Sequence, residues 1–242
     1  MRMLVVCLPT YNERENVERM TSALATVLDE AAIDGRILVI DDASPDGTGE
    51  IADRIAAEAR HVEVLHRTRK EGLGPAYLAG FGRALAYGAD LVVSIDCDFS
   101  HDPSDVPRLV AAAGGADLVL GSRYVRGGGT RNWDLSRRAI SRFGSLYAQA
   151  VLGLPQHDLT GGFKCYRRAV LEGIGLDRVT SKGYAFQVET TYRAVRAGFR
   201  VAEIPIVFTD RLEGRSKMSG DIVLEAMTAS PALRWDALRG RL

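Results

Sequence analysis

An α/β fold built on a mostly parallel sheet, with helices on both faces, is what this sequence predicts, and three observations carry the prediction. Short apolar runs recur from the N-terminus, each nearly continuous in Val, Ile and Leu, as in strands buried on both faces. Segments with apolar residues at helical spacing alternate with these runs through about residue 122. Polar and acidic residues gather at the carboxyl ends of the runs, where open sheets of this kind bind ligands.

Residues 4–8 form the first expected strand, ended by Pro9. Asn12 with Glu15 three residues later has the form of a capping box, ahead of Val17, Met20, Leu24, Val27, Leu28 and Ala31 at helical spacing. A second strand is expected over 36–40, then a turn-rich stretch at 43–48 and a helix over 49–59. Strands over 62–65 and 91–95 flank a helix opening at Gly72 and running to about Gly88. A helix starts near Pro103, and a fifth strand covers 117–120. Beyond residue 122 the regularity breaks, with long helices expected near 134–152 and 184–197 and a strand over 201–208. With no linker or repeat in view, residues 1–242 are expected to be one domain. Its half 1–122 would hold a nucleotide and its half 123–242 a second substrate.

Composition narrows the class. The 242 residues are 46% hydrophobic and 26% charged, as in ordinary globular proteins, which excludes a disordered chain, a collagen-like repeat and a coiled coil. A chain of this length buries roughly 70% of its unfolded surface, so it needs no disulfide or structural metal. Lys+Arg and Asp+Glu are 31 each, which argues against a bulk electrostatic grip on nucleic acid. Any anion site must come from local clustering. Cys7, Cys97 and Cys165 show no CxxC spacing and suit a reducing compartment. The first apolar run is too short for a signal peptide, and no run reaches the roughly 20 residues of a bilayer span. A cytosolic protein is expected. Neither G-x-G-x-x-G after the first strand nor G-x-x-x-x-G-K-[ST] is present, which counts against a dehydrogenase and a P-loop enzyme.

Asp96 and Asp98 are alternate residues at a strand end, so both carboxylates can point the same way. Such a pair suits Mg²⁺, which binds one or two carboxylates plus substrate phosphates, and Ser100 can add a hydroxyl or orient a water. The competing reading makes them turn residues capping the helix at Pro103; His101 reads as a local hydrogen-bonding residue. In the stretch 41–47, Asp46 and Gly47 serve a turn and Asp42 a ligand. Between residues 123 and 142, six arginines (Arg123, Arg126, Arg131, Arg137, Arg138, Arg142) face one acid, Asp134. Trp133, Leu135, Ile140, Phe143, Leu146, Tyr147 and Val151 are interleaved with them, which fits either a lipid-phosphate or membrane-surface segment or a core-facing helix. Residues 211–217 read as a loop whose Arg211 and Lys217 close over a diphosphate. The last stretch, with Met227, Leu233, Trp235 and Leu238, either packs on the core or touches a membrane.

The order of these motifs resembles the family 2 glycosyltransferases of GT-A fold, and more narrowly their dolichyl-phosphate (polyprenol-phosphate) mannosyltransferases. The resemblance rests on P-T-Y-N-E at 9–13, D-D-A-S-P-D at 41–46, K-E-G-L-G at 70–74, D-C-D-F-S-H at 96–101, G-S-R-Y-V at 121–125 and G-R-S-K at 214–217. It implies inverting transfer of mannose from GDP-mannose to a polyprenyl phosphate. Pro9, Tyr11, Glu13, Ile40 and Asp42 would contact the guanosine. Asp96, Asp98 and Ser100, with Cys97 among them, would hold Mg²⁺ or Mn²⁺ on the diphosphate. Asp98 and Arg123 are the implied catalytic residues, Arg123 standing near the transferred phosphate. Arg137 and Ser141 match acceptor-phosphate contacts, Arg211 and Lys217 a donor-clamping loop, and Asp158 a structural support within D-L-T-G-G-F at 158–163, a motif lining the site. The enzyme would work at the cytosolic face of a membrane, as a peripheral protein or through a membrane-protein partner. The rival expectations are a UDP-glucose-dependent polyprenyl-phosphate glucosyltransferase and a catalytically silent nucleotide-sugar-binding module.

Overall fold

The structure, a computed structural model, describes residues 3–183, 185–210 and 220–242. The first half alternates as expected: β1 (Leu4–Thr10), α1 (Val17–Glu30), β2 (Gly35–Asp41), α2 (Thr48–Glu58), β3 (Val62–His66), α3 (Leu73–Ala86), β4 (Leu91–Ser94), α4 (Val106–Ala112) and β5 (Leu118–Ser122). After it come β6 (Gly129–Arg131), α5 (Leu135–Leu152), β7 (Lys164–Arg167), α6 (Arg168–Gly173), α7 (Ala185–Arg196), β8 (Val201–Pro205), β9 (Val207–Thr209) and α8 (Gly220–Leu238). Seven strands form one sheet in the order β3-β2-β1-β4-β7-β5-β8, and β6 pairs with β9 in a separate ribbon. Neighbours run parallel except at β7, which is antiparallel to both β4 and β5.

Alternation along the strands divides the core in two. Leu4, Val6 and Leu8 face Met20 and Leu24 of α1, while Val5, Cys7, Leu38 and Ile40 face α3 and α7. On the second face Tyr77, Phe81 and Phe186 pack together with ring centroids 5.7 to 6.3 Å apart. Gly80 lets α3 approach this closely, since a Cβ there would fall 2.4 Å from Ile40 Cδ1. All three cysteines are buried and unbridged.

Several boundaries differ from expectation. β1 runs through Pro9, because the missing N–H lies on the side where β4 has already ended: the last β1–β4 pair is Cys7 with Ser94. Asn12 is not a helix cap; it takes φ 58° in the turn after β1, and the helix opens at Asn16 without a side-chain cap. The strand expected over 201–208 is broken at Ile206, whose N–H donates to Ser122 O of β5 while its carbonyl accepts from Gly129 of β6. At that residue the chain leaves one sheet for the other. β7 escaped the sequence pattern because Lys164 and Arg167 stand at its two ends and leave only Cys165 and Tyr166 between them. Of the two alternatives foreseen for the C-terminal stretch, packing on the core holds for part of it. Leu233 packs into a cluster with Leu152, Leu159, Val188 and Tyr192, while Met227, Trp235 and Leu238 stay exposed.

Candidate active site

A cleft of about 200 Å³ opens at the carboxyl ends of β1, β2 and β4. Pro9, Tyr11, Glu13 and Asp42 line its first side, with Lys70 and Gly72. The turn after β1 is pinned to the turn after β2. Asn12 N–H donates to Ser44 Oγ at 3.1 Å, Glu13 N–H to Thr48 Oγ1 at 3.0 Å and Arg14 N–H to Asp46 Oδ2 at 3.3 Å. Asp46 also accepts from Thr48 N–H and hydroxyl, and Gly47 follows at φ 91° as the cap of α2, so both do serve the turn. Asp42 accepts from Arg67 at Oδ1 and from the N–H groups of Glu71 (3.1 Å) and Gly72 (3.2 Å) at Oδ2. Its carboxylate thereby ties the 67–72 segment to the cleft. Lys70 Nζ lies 3.8 Å over the Tyr11 ring. Ile40 stands apart from this group: its side chain is core, under Gly80, and it does not line the cleft.

Asp96, Cys97 and Asp98 line the second side. Tyr77 hydroxyl donates to Asp96 Oδ1 at 3.3 Å, and Asp98 Oδ1 accepts from Ser100 N–H at 3.0 Å. Burial and the charges of Glu13, Asp98 and Asp96 push the Cys97 thiol up, so it stays protonated beside them. Ser100 is buried, and its hydroxyl has no hydrogen-bond partner. Two carboxylates and an orphaned hydroxyl two residues on make an oxygen-only set, which fits a hard divalent cation. Among the described residues no three His, Cys, Asp or Glu side chains are grouped to hold a metal by themselves. His101 differs from the expected hydrogen-bonding residue, with Nε2 3.9 Å from Asp96 Oδ2. Its Nδ1 has no partner, its ring packs on Phe163 and Phe208, and burial pulls its pKa down to about 4.

The third side comes from the second half of the chain: Thr160, Gly162 and Gln187. Arg123 does not itself line the cleft. Its Nε and Nη2 grip both oxygens of Asp158 at 2.7 Å, and Nη2 also donates to Thr160 Oγ1 at 2.9 Å. Burial alone would raise the Asp158 carboxyl, but the Arg123 charge and hydrogen bonds hold it below the usual carboxylate range. Arg123 thus reaches the cleft through Thr160. Thr160 Oγ1 is also 3.3 Å from Ser145 Oγ on α5.

Asp134 caps α5, accepting from Arg137 N–H at 2.7 Å. Arg137 Nη1 donates to Asp210 Oδ1 at 2.7 Å, and its guanidinium lies 4.5 Å over Trp133. Ser141 Oγ accepts from Tyr124 hydroxyl at 2.7 Å, and Arg142 stacks 4.7 Å over the Tyr124 ring. Three N–H donors in this cluster are buried with no acceptor: Arg137 Nε, Arg142 Nη1 and Trp133 Nε1. Arg211 and Lys217 lie outside the described residues. Sequence reasoning placed the motif D-L-T-G-G-F at 158–163 along the site without singling out Thr160 or Gly162, and it missed Lys70 and Gln187 as cleft residues. Gly161-Gly162 carried a faint signal, while Gln187, in Ala-Phe-Gln-Val, carried none.

The model for "Glycosyl transferase family 2" matches residues 5–175. Undecaprenyl-phosphate mannosyltransferase of Micrococcus luteus is 49% identical over 246 aligned positions, covering 100% of this chain and 99% of that one. Polyprenol monophosphomannose synthase of Mycolicibacterium smegmatis is 48% identical over 240, covering 98% and 88%. Among solved structures, glucosyl-3-phosphoglycerate synthase from Mycobacterium tuberculosis in complex with UDP superposes with a TM-score of 0.68 at 19% identity, covering 97% of this chain and 80% of that one. The same enzyme with Mg²⁺ and UDP gives 0.64 at 21%, covering 99% and 79%. At that identity the likeness is one of fold.

Proposed function

The chain belongs to glycosyl transferase family 2, and from that premise we propose that it transfers mannose from GDP-mannose to a polyprenyl monophosphate with inversion, at the cytosolic face of a membrane. Mannosyl transfer to a polyprenyl phosphate is the activity that both full-length relatives are named for. The observation in the structure that carries the reading is the set of unmatched donors at Arg137, Arg142 and Trp133. Buried N–H groups without acceptors are costly, and a phosphate monoester offers the charged oxygens they lack. Thr160 links this cluster to the cleft, bonded on one side to Arg123 and on the other to Ser145 of α5.

Asp96 and Asp98, with the Ser100 hydroxyl, would hold Mg²⁺ or Mn²⁺, which when bound offsets the negative charge growing on the departing nucleoside diphosphate. Pro9, Tyr11, Glu13 and Asp42 line the part of the cleft assigned to the nucleoside. Arg137 orients the acceptor phosphate, its own plane fixed by Trp133 and Asp210. That phosphate is already anionic near neutral pH, so its oxygen can attack without a general base. The demand on the protein is to hold two anions side by side, which its arginines meet. Arg123 acts by fixing Asp158 and Thr160, and Arg211 and Lys217 complete the proposal as donor-clamping cations.

Leu135, Ile140, Phe143 and Leu146 project from α5 into solvent beside these arginines. An apolar face flanked by cations supports contact with an anionic bilayer, directly or through a membrane-protein partner. No helix among the described residues is long and apolar enough to cross a membrane.

The test is sugar transfer from labelled GDP-mannose or UDP-glucose to a short polyprenyl phosphate with Mg²⁺. An EDTA-sensitive β-mannolipid from GDP-mannose alone is expected. Product only from UDP-glucose would overturn the donor assignment, and an α-linked product would overturn inversion.

A further inference from the structure

Gln187 stands on the first turn of α7, is 1% exposed, and lines the cleft. Neither its Oε1 nor its Nε2 has a hydrogen-bond partner. Its backbone carbonyl, by contrast, is heavily used: it accepts from Lys164 Nζ at 2.6 Å, Thr191 Oγ1 at 3.0 Å and Thr190 Oγ1 at 3.3 Å. The residue is fixed in place while its amide is left unsatisfied. A buried polar group in that state is destabilising, and an apolar side chain of the same shape would avoid the cost. Ala185, Phe186 and Val188 beside it are buried and apolar, so packing supplies no reason for an amide.

The amide borders a definite corner. A Cβ built on Gly162 would stand 3.4 Å from Gln187 Nε2 and 3.7 and 3.8 Å from the two carboxylate oxygens of Asp96. The missing side chain of Gly162 therefore keeps open a space with a neutral amide on one side and a carboxylate on the other. A phosphate oxygen there would face the Asp96 charge. A hydroxyl suits both sides, since it donates to the carboxylate or to Oε1 and accepts from Nε2. On the reading proposed above, the part of the donor that is rich in hydroxyls and lies beside the acidic pair is the hexose.

We infer that Gln187 hydrogen-bonds a hydroxyl of the transferred hexose in the corner kept open by Gly162, and so is a specificity-determining residue for the sugar. This rests on the cleft being a nucleotide-sugar site. Hexose epimers differ in the direction of one hydroxyl. A wrongly directed hydroxyl would leave the amide unpaired, the situation in which buried polar groups discriminate most strongly.

Two variants test this from opposite sides. Gln187→Met removes the amide and keeps the volume. Gly162→Ala fills the corner; Gly162 is not in the left-handed region, and its new Cβ would meet its neighbours at ordinary contact distances, so the fold should tolerate it. Binding of GDP, GDP-mannose, UDP and UDP-glucose would be measured by calorimetry with Mg²⁺, alongside melting curves. Both variants should bind GDP within about twofold of wild type but GDP-mannose at least about tenfold more weakly, and Gln187→Met should melt at or above wild type. Equal weakening of GDP and GDP-mannose would overturn the assignment to the sugar. Unchanged GDP-mannose binding in both variants would make Gln187 a core residue and overturn it outright. If wild type instead prefers UDP-glucose, the donor reading falls, and the same comparison on UDP and UDP-glucose still decides Gln187. Wild type that binds neither sugar nucleotide would overturn both.

Discussion

The two halves of the cleft are built by different means. Before residue 122 three acids at or beside it accept from main-chain N–H groups. Asp42 is held by those of Glu71 and Gly72 together with the Arg67 guanidinium, Asp46 by that of Thr48, and Asp98 by that of Ser100. After residue 122 the groups are fixed by side chains distant in sequence. Arg123 holds Asp158, Glu203 accepts from the N–H groups of His157 and Asp158, Arg137 reaches Asp210, and Lys164 reaches Gln187 and Thr191. Main-chain clamps survive the loss of a side chain, whereas a buried charge network does not, because each removal strands a partner. Chemistry and stability should therefore separate between the halves.

The largest effect expected is on turnover. Asp98→Ala should cut mannosyl transfer about a thousandfold or more, the several kcal/mol that charge stabilisation at the leaving group supplies. Its stability should fall by only about 1–2 kcal/mol, the scale of a main-chain hydrogen bond such as that from Ser100 N–H. A folded variant with near-normal turnover would remove Asp98 from the site. Asp158→Ala should do the reverse, costing about 3–5 kcal/mol in urea unfolding because the buried Arg123 guanidinium loses its counter-charge. If Asp98→Ala proves as destabilising as Asp158→Ala, the contrast between the halves is wrong.

Arg137→Ala sharpens the contrast within the second half. It should raise the acceptor KM about 10- to 100-fold, as expected for losing a charge-assisted bond to phosphate, and leave the donor KM within about twofold. Arg137 is half of a partly exposed pair with Asp210, so little stability should go with it. A rise confined to the donor KM would move Arg137 to the nucleotide side.

The same division explains how much was legible in the sequence. The repeating strand–helix units of the first half are local, so periodicity located them to within a few residues, and strand-end acids such as Asp42, Asp96 and Asp98 marked the cleft. Where the reading failed there, at Asn12 and Pro9, the cause was turn geometry and strand staggering, which leave no periodic trace. β7 could not be foreseen, because a strand carrying Lys164 and Arg167 is apolar only once their partners are known. Arg123 showed its charge but not Asp158 thirty-five positions away, and Gln187 had no sequence cue at all. Cleft residues contributed by long-range packing were invisible for that reason.

Lys164 provides the smallest and most specific test, because it lies where β7 meets α7. It is fully buried, and burial pulls its pKa down from 10.5 to about 7, against a raising influence from Asp158. The native state therefore releases this proton near pH 7, while the unfolded chain keeps it to about its ordinary value. Between the two the unfolded state binds more protons, so stability rises with pH, by at most about 1.4 kcal/mol per unit. Buried Cys7 and Cys165 act in the opposite direction above about pH 8.5, since burial pushes both thiols up and only the unfolded chain ionises them. The contribution of Lys164 is isolated by subtracting the curve of Lys164→Met, which retains the cysteines. From pH 7.5 to 8.5 wild type should gain about 1 kcal/mol relative to that variant. A flat difference would mean the ammonium stays charged on its two acceptors, Gln187 O and Thr191 Oγ1, and that this contact behaves like the robust clamps of the first half. A rising one would show that the second half fixes Gln187 with a buried amine that is neutral above about pH 7.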